Sequence, residues 1–261
     1  MLARIKKRIL RQLTRWKYAP AINVESTRDL IRLGSNYGGW TLQPSKDLHH
    51  STILSCGLGE DASFDIEFAS QFNARVIMVD PTPRALIHFR EIQLRVGKPA
   101  AHAYVKGGQQ PTTSYDLSRI DKGALILEPS ALWIENTKLK FYAPRNPDHV
   151  SHSIINFQNN YTDETKHIEV AALTPETLID KYALATIPLM KLDIEGAEVS
   201  VIKHMIEKWI RPRQLLVEFD EMNFPSDRSK KNAEDTDRIL RLAGYTCCYF
   251  DSRANFLYTL C

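Results

Sequence analysis

The sequence predicts an α/β fold with an open, mostly parallel β-sheet and a nucleotide site at the carboxyl ends of its strands. The apolar run 52–56 stops at Gly57 and Gly59 and leads into a helical stretch, and a second apolar run, 75–79, stops at Asp80. This succession is the layout of a β-α-β nucleotide site. The chain of 261 residues is 43% hydrophobic and has no internal repeat or interdomain linker, so one large domain is the simplest arrangement.

Each part of this site has a physical task. Gly57 and Gly59 let the chain turn sharply and bring its backbone against a ligand, because a Cβ there would collide or forbid the dihedrals. Asp80 ends the second strand, where a carboxylate accepts hydrogen bonds from both hydroxyls of a ribose. The predicted ligand is therefore an adenosine-containing cofactor.

The pair Glu60-Asp61 indicates which cofactor is favoured. Residues 57–62 fit the loose dinucleotide pattern G-x-G-x-x-A. Two carboxylates at the helix entrance, however, would repel a pyrophosphate and suit a cation such as S-adenosylmethionine, which carries a sulfonium and an ammonium group. The alternative is that Glu60 and Asp61 only complement the macrodipole of the helix that starts at about Ser63.

The first 36 residues are predicted to be a basic helical extension of a domain that spans 37–261. Residues 1–17 hold seven basic and no acidic side chains; removing these seven from the chain's 34 basic residues leaves 27 against 31 acidic ones. The body of the molecule is therefore mildly acidic. Apolar side chains at positions 2, 5, 9, 13 and 16 form a helical stripe. In order of preference, such a helix docks on its own domain or a second subunit, lies on an anionic membrane, or binds nucleic acid.

The composition favours a reduced, cytoplasmic setting, with peripheral contact at the inner membrane surface as an option for the basic segment. No apolar run approaches the roughly 18 residues needed to span a bilayer. The four cysteines show no C-x-x-C spacing and no metal-ligand pattern. The basic segment lacks the uninterrupted apolar stretch and cleavage site of a signal peptide.

The first half of the chain contains further helices and strands. The loop Tyr37-Gly38-Gly39-Trp40 either folds over a bound ligand or forms a tight turn with Trp40 in the core. Phe64, Phe68 and Phe72, at four-residue spacing, should pack one helix on the sheet. The other predicted elements are a helix around 26–33, a helix from Pro83 to about 95, an inserted hairpin within the polar stretch 106–123, and a strand at 124–128.

The second half contains another strand-to-helix junction with acidic residues. The strand 187–192 runs into Asp193 and Glu195, which should face the same cleft as Gly57 and Asp80 because parallel strands end at one crevice. The next helix carries Val199, Ile202, Ile206 and Trp209 on one side. Other predicted elements are strands at 138–142, 168–173 and 214–218, a helix from about 233 that ends at Gly244, and closing antiparallel strands at 245–250 and 256–260.

Two histidines, His149 and His152, lie in a predicted loop with flanking hydroxyl groups. Such a pair can hydrogen-bond a polar substrate, transfer a proton or ligate a metal. Histidine pairs in loops are also commonly surface residues without a role.

Several motifs together resemble the FkbM family of S-adenosylmethionine-dependent methyltransferases, from about Tyr37 to the C-terminus. They are Lys191-Leu192-Asp193-Ile194-Glu195-Gly196-Ala197-Glu198, Leu216-Val217-Glu218, Cys56-Gly57-Leu58-Gly59-Glu60-Asp61, Tyr37-Gly38-Gly39-Trp40, Asp80-Pro81-Thr82-Pro83 and His149-Val150-Ser151-His152-Ser153. The resemblance implies a class I methyltransferase Rossmann-like fold, with a seven-stranded sheet whose last pair is antiparallel. It also implies O-methylation of hydroxyls, commonly on sugars or other small natural products.

The resemblance also implies a cofactor site. S-adenosylmethionine would lie across Cys56, Gly57, Gly59, Glu60 and Asp61, with its ribose at Asp80 and Thr82 and its adenine near Ala131, Leu132 and Trp133. An acid or amide is usual in the family where this chain has Trp133, and the preceding loop is enlarged, so adenine recognition departs from the family pattern.

Methyl transfer to a hydroxyl is an in-line displacement that needs alignment and removal of the hydroxyl proton. The candidate catalytic residues are His152, Asp193, Glu195 and Glu218. His152 or Asp193 is the favoured base, with Glu195 and Glu218 orienting the substrate. In a competing mechanism these carboxylates hold a divalent cation that polarises the hydroxyl. Glu195 and Glu218 could also simply cap the ends of the helix and the strand.

The leading prediction is an O-methyltransferase that acts on a carbohydrate or similar small polar acceptor. The alternatives are a methyltransferase for another nucleophile such as RNA, a non-catalytic binding or scaffold protein that keeps the fold, and an NAD-dependent oxidoreductase. RNA is disfavoured because the body is acidic and has no basic face beyond residue 17. A homo-oligomer is compatible with the sequence.

Overall fold

The computed structural model describes residues 14, 17–25, 27, 29–142 and 165–261. Its described strands are β1 (Ile31–Leu33), β2 (Trp40–Leu42), β3 (Thr52–Cys56), β4 (Arg75–Val79), β5 (Leu125–Glu128), β6 (Ala131–Leu132), β7 (Thr137–Tyr142), β8 (His167–Leu173), β9 (Leu189–Leu192), β10 (Gln214–Glu218), β11 (Tyr245–Phe250) and β12 (Asn255–Leu260). Its described helices are α1 (Ser63–Phe72), α2 (Pro83–Gln93), α3 (Pro175–Lys181), α4 (Glu198–Glu207) and α5 (Asp227–Leu242).

The main sheet has seven strands in the order β11-β12-β10-β9-β3-β4-β5. Strand β12 runs antiparallel to both of its neighbours, and the other neighbouring pairs are parallel. The predicted α/β class, the mostly parallel sheet and the antiparallel closing pair are confirmed. This is the class I methyltransferase fold, in which the ends of β4, β3, β9 and β10 lie side by side at one edge of the sheet.

Helices cover both faces of the sheet. On one face, Phe64, Phe68 and Phe72 of α1 pack with Leu189 of β9, as the four-residue spacing predicted. On the other face, α3, α4 and α5 pack on side chains such as Met190 of the same strand. Successive residues of a strand point to opposite faces, so each central strand is apolar along its length.

The helix ends follow local sequence signals. Thr82 and Thr174 cap α2 and α3 through their side chains, and a proline follows each of them. Helix α5 begins at Asp227, earlier than predicted, because Ser226 and Ser229 form a capping box. It ends before Gly244, which has a φ of +96°.

Two smaller sheets flank the main one. Strands β1 and β2 form an antiparallel pair, and β6, β8 and β7 form a three-stranded sheet. The predicted boundary between residues 36 and 37 lies inside the β1–β2 hairpin. The segment before the hairpin also contacts the domain, since the Glu25 N–H donates to the Cys247 carbonyl at 2.8 Å.

Two predicted elements and the predicted position of one side chain are wrong. The helix expected around 26–33 contains strand β1, because Leu33 is buried and pairs with Trp40, and this pairing outweighs the local helical pattern. The hairpin expected within 106–123 is a loop in which one 3-10 turn, Thr112–Ser114, replaces the strands. Trp209 does not join the apolar side of α4, because the helix ends at Glu207; Trp209 has a φ of +59° and is 79% exposed.

Other predictions concern parts of the chain outside the described residues. They are the basic helical stripe that ends near residue 16 and the loop with His149 and His152. Among the described helices, none combines the length and apolarity that crossing a membrane requires.

Candidate active site

The glycine turn after β3 is held against the end of β9. Gly57 has a φ of +92°, and a Cβ on it would lie 1.9 Å from the Asp193 carbonyl oxygen. Its N–H donates to Val79, while the Asp193 N–H donates to Cys56, both at 3.0 Å. Gly57 therefore meets both the dihedral and the contact requirement that the sequence predicts. Gly59 has a φ of +55°, and no described atom lies within 4 Å of where its Cβ would stand, so space is open beside it.

Asp80 organises this turn through four hydrogen bonds. Its Oδ2 accepts from the backbone N–H groups of Leu58 and Gly59 at 3.0 and 2.9 Å. Its Oδ1 accepts from the N–H and the hydroxyl of Thr82 at 2.8 and 2.7 Å. A carboxylate offers about four lone-pair positions. A ribose hydroxyl at Asp80 would therefore replace one of these donors, and the Thr82 hydroxyl, which can rotate, is the simplest one to displace.

Asp61 links the glycine turn to the N-terminal loop. Its Oδ1 accepts from the N–H of Ser63 at 3.0 Å, and its Oδ2 accepts from the Ser35 hydroxyl at 2.6 Å and from the Gly38 N–H at 3.2 Å. Asp61 thus combines the predicted stabilisation of the α1 terminus with a contact 26 residues away in sequence. Glu60 instead pairs with Arg84, with 3.3 Å between Oε2 and Nε.

The acidic turn after β9 is shaped by Glu198. Its Oε1 accepts from the N–H groups of Ile194 at 2.8 Å and Gly196 at 3.3 Å. Glu195, between them, has a φ of +55°, a conformation that costs a non-glycine residue roughly 1–3 kcal/mol. Such strain is typical of functional turns, and here the buried Glu198 carboxyl supports it.

Asp193 and Glu218 form an acidic pair at the ends of the neighbouring strands β9 and β10. Burial raises the pKa of Asp193; the charge of Lys191 opposes this rise, and Asp80 adds to it. Burial and the charge of Asp193 raise the pKa of Glu218 to about 8, although the Asn223 side chain donates to its Oε1 at 2.9 Å. Two neighbouring carboxyls with raised pKa values share their protons, and the member that is ionised can act as a base.

Lys191 is a buried cation directly beneath the site. Its Nζ donates to the Gly57 carbonyl and lies 5.8 Å from the centroid of the Trp40 ring. Both side chains are about 4% exposed or less. Burial raises the pKa of Asp65, which is fully buried in α1, and the charge of Lys191 partly opposes this rise. Lys191 therefore connects the glycine turn, the N-terminal hairpin and α1.

The residues predicted at the adenine end lie beyond β5, at the same edge of the sheet. Ala131 and Leu132 are buried in β6, and the N–H of Trp133 donates to Leu173 at 2.9 Å. Cys56 is fully buried, and burial raises the pKa of its thiol to about 12. Any contact between Cys56 and a ligand would therefore be made through its backbone.

The structure brings together most of the predicted site. Gly57, Asp80 and Asp193 are in contact or share hydrogen-bonded neighbours, and Glu218 follows on the next strand. The contacts that Lys191, Ser35 and Glu198 make at the site were not predicted from the sequence. A charged residue inside the apolar run 187–192 was the available signal for Lys191, because buried charges are rare without a partner. Nothing local distinguishes Ser35.

The predicted alternative of a metal site has no arranged ligand set in the described part of the chain. No group of three or more histidine, cysteine, aspartate or glutamate side chains there is placed to hold a metal ion. His152 lies outside this part, and its predicted role as a base stays a prediction.

Comparisons with known proteins bear on this geometry. No curated protein matches the chain significantly. Among solved structures, the fibrillarin pre-rRNA processing protein of Methanococcus jannaschii is similar over 92% of this chain and 86% of that chain, with 10% identity and a TM-score of 0.40. The family model for the methyltransferase FkbM domain matches residues 36–247, which include the glycine turn, Asp80, the acidic turn and Glu218. The chain therefore belongs to the FkbM methyltransferase family.

Proposed function

We propose that this chain is an S-adenosylmethionine-dependent O-methyltransferase that acts on a hydroxyl of a carbohydrate or a similar small polar acceptor. The observation that carries the proposal is the acidic edge of the sheet, by which we mean the row of carboxyl ends of β4, β9 and β10 with the acids that follow them. Asp80, Asp193 and Glu218 follow β4, β9 and β10 around a glycine turn with open space beside it. Negative charge at this edge favours a cationic ligand over a pyrophosphate.

The residues at this edge fit the cofactor that the family uses. The backbone of Gly57 and Gly59 would lie against it, Asp80 and Thr82 would hold its ribose, and residues 131–133 would line the adenine end. Glu60 and Asp61 would add negative charge near its cationic groups. When bound, S-adenosylmethionine supplies an electrophilic methyl group on a positively charged sulfur.

The acidic pair provides a place for the acceptor proton. Asp193 lies beside Gly57, and Glu218 is its neighbour on the next strand, so a hydroxyl held between them would meet two hydrogen-bond acceptors. The ionised member of the pair takes the hydroxyl proton, and the other orients the oxygen. Glu195, on the strained turn, would bind a further hydroxyl of the acceptor.

The acceptor class follows from the polarity of this edge. Carboxylates accept hydrogen bonds from hydroxyl groups and repel phosphate groups. The body of the protein is mildly acidic outside residues 1–17. A neutral polyol such as a sugar therefore suits the site better than RNA does.

Calorimetry followed by turnover tests the proposal. We expect S-adenosylmethionine and S-adenosylhomocysteine to bind and NAD to show no heat. With radiolabelled methyl donor, label should then appear in members of a panel of methyl glycosides, nucleotide sugars and oligosaccharides. EDTA in a parallel arm tests the metal-assisted route, which predicts loss of turnover.

Three outcomes would contradict parts of this proposal. Absence of cofactor binding would overturn the methyltransferase activity. Label transferred only to RNA or peptides would overturn the acceptor class, and cofactor binding without transfer to any acceptor class would favour the scaffold alternative.

A further inference from the structure

The loop that contains Tyr37 has a tightly held backbone. The Ser35 hydroxyl oxygen accepts from the N–H groups of Tyr37 and Gly38 at 3.1 and 2.9 Å, and the hydroxyl itself donates to Asp61. A Cβ on Gly38 would lie 2.7 Å from Asp61 Oδ2, so the loop approaches the glycine turn more closely than another residue would allow. Arg32 closes the loop from the other side by donating to the carbonyls of Gly39 and Ser35.

The side chain of Tyr37 contrasts with this backbone, because it is 68% exposed. Part of its ring rests on Gly108: a Cβ there would come within 2.4 Å of Cε1 and 2.7 Å of Cζ. The loop around Gly108 is itself attached to the glycine turn, since the Gln110 N–H donates to the Glu60 carbonyl at 2.9 Å. An exposed aromatic ring thus lies at the site on a loop backbone that the side chains of Ser35 and Arg32 hold in place.

Tyr37 also lies close to the acidic residues of the site. The surrounding protein partly desolvates the phenol, and the charges of Asp193, Glu195 and Glu218 add to the resulting rise in its pKa. The phenol therefore stays neutral and can donate a hydrogen bond near these carboxylates.

We propose that Tyr37 is the stacking residue of the acceptor subsite, with one face of a sugar ring on the aromatic ring and a hydroxyl directed at Asp193 and Glu218. This inference rests on the proposed function and specifies a sugar ring as the part of the acceptor that is recognised. A pyranose has an apolar C–H face and a polar edge, which an aromatic ring beside carboxylates complements. The entropy lost on binding is small for two reasons. The backbone of the loop is already fixed, and Tyr37 has only two side-chain torsions to order.

Saturation-transfer NMR on the protein loaded with S-adenosylhomocysteine tests the proposal. The probes are the methyl pyranosides of glucose, galactose and mannose, UDP-sugars and oligosaccharides. For at least one probe, we expect Tyr37→Phe to bind within threefold of the unmodified protein and Tyr37→Ala to bind at least tenfold more weakly. Gly108→Ala should fall between them, because its Cβ displaces the ring.

Two controls separate this role from folding and cofactor binding. Trp209→Ala removes another exposed aromatic residue, beyond the C-terminal end of α4 and away from the acidic edge, and should leave glycoside affinity unchanged. The affinity of Tyr37→Ala for S-adenosylmethionine should stay within twofold. Equal glycoside affinity in Tyr37→Ala and the unmodified protein would overturn this inference alone. Absence of any carbohydrate binding by the unmodified protein would overturn it together with the carbohydrate part of the proposed function.

Discussion

Gly57 shows how one residue couples two strands of the site. Its missing side chain lets the chain after β3 approach the Asp193 carbonyl, and its φ of +92° turns the chain towards Asp80. Because Gly57 has no Cβ, the glycine turn can lie against the end of β9 and adopt its left-handed conformation.

Replacing Gly57 by alanine should be far more damaging than the same change at Gly97. Both have a φ in the left-handed region, +92° and +84°, but only at Gly57 would the new Cβ collide with backbone; at Gly97 no described atom lies within 4 Å. We expect Gly97→Ala to lower the free energy of unfolding by about 1–2 kcal/mol, from conformational strain alone. We expect Gly57→Ala to lower it by about 4 kcal/mol or more and to abolish cofactor binding.

Urea denaturation gives the free energy of unfolding, and calorimetry gives the affinity for S-adenosylmethionine. Similar losses in Gly57→Ala and Gly97→Ala would show that the contact with Asp193 is unimportant.

The acidic pair should give turnover a characteristic pH dependence. Glu218 has a pKa raised to about 8, and a base must be deprotonated to act, so kcat/KM should rise with pH, reach half of its maximum near pH 8 and level off above it. Glu218→Gln should remove this rise, and Asp193→Asn should lower kcat by about 100-fold or more. The measurement is the pH profile of methyl transfer to an acceptor found in the panel. Unchanged turnover in Asp193→Asn would exclude Asp193 from the chemistry.

At the scale of elements, a buried hydrogen-bond chain joins α1, α2 and the loop after α2. The N–H of Ala62 donates to the Tyr115 hydroxyl at 3.0 Å, and that hydroxyl lies 2.8 Å from Nε2 of His88. In the neutral tautomer that carries its proton on Nδ1, His88 accepts a hydrogen bond from the Tyr115 hydroxyl at Nε2. Burial lowers the pKa of His88 to about 4. A neutral histidine is therefore buried beside the start of α1, next to the glycine turn.

The buried His88 should make the protein less stable in mild acid. An unfolded histidine has a pKa of about 6.5 and binds a proton that the folded state resists until about pH 4, so protonation in this window favours unfolding. The contribution of His88 is complete above pH 6.5 and declines as pH falls towards 4, by up to about 3 kcal/mol.

His88→Gln keeps a hydrogen-bond acceptor for Tyr115 but does not titrate. Denaturation curves between pH 4 and 7 should therefore show a shallower loss of stability for this variant than for the unmodified protein. Equal slopes for the two proteins would contradict the assignment.

At the scale of the whole molecule, charge is divided between the basic N-terminal segment and an acidic body. Residues 1–17 hold seven of the 34 basic residues, and the remainder has 27 basic against 31 acidic ones. The described residues after this segment contact the domain: the Ala21 N–H donates to Glu234 at 2.8 Å, and Arg241 donates to the Asn23 carbonyl. The chain that follows the basic segment is therefore held against α5.

If the basic segment contacts membranes, a protein that begins at Lys17 should sediment less with anionic liposomes than the full chain does. Each basic residue near an anionic surface contributes about 1 kcal/mol to the free energy of membrane binding. Because salt screens this attraction, the difference in sedimentation between the two proteins should shrink in high salt. Starting at Lys17 keeps the docked residues 21–25. Equal sedimentation of the two proteins would exclude membrane contact and leave docking on the domain or on a second subunit, or binding of nucleic acid.

The sequence by itself determined the central strands, the glycine turn, Asp80 and the acidic turn after β9. These features depend on local signals: apolar runs that stop at glycine or an acid, and the rule that parallel strands end at one edge. Local signals predicted the wrong secondary structure where pairing between strands determines it. The segment of β1 is a strand because it pairs with β2, with Leu33 opposite Trp40.

Only the tertiary structure decided which side chains meet at this edge. Asp61 bonds to Ser35, Lys191 reaches the Gly57 carbonyl 134 residues away, and Tyr37 rests on Gly108. Such contacts join residues that are distant along the chain, and no spacing in the sequence encodes them. They form because a polar or charged group that is buried away from water needs a hydrogen-bond partner within the protein. The packed fold determines which groups are close enough to be that partner.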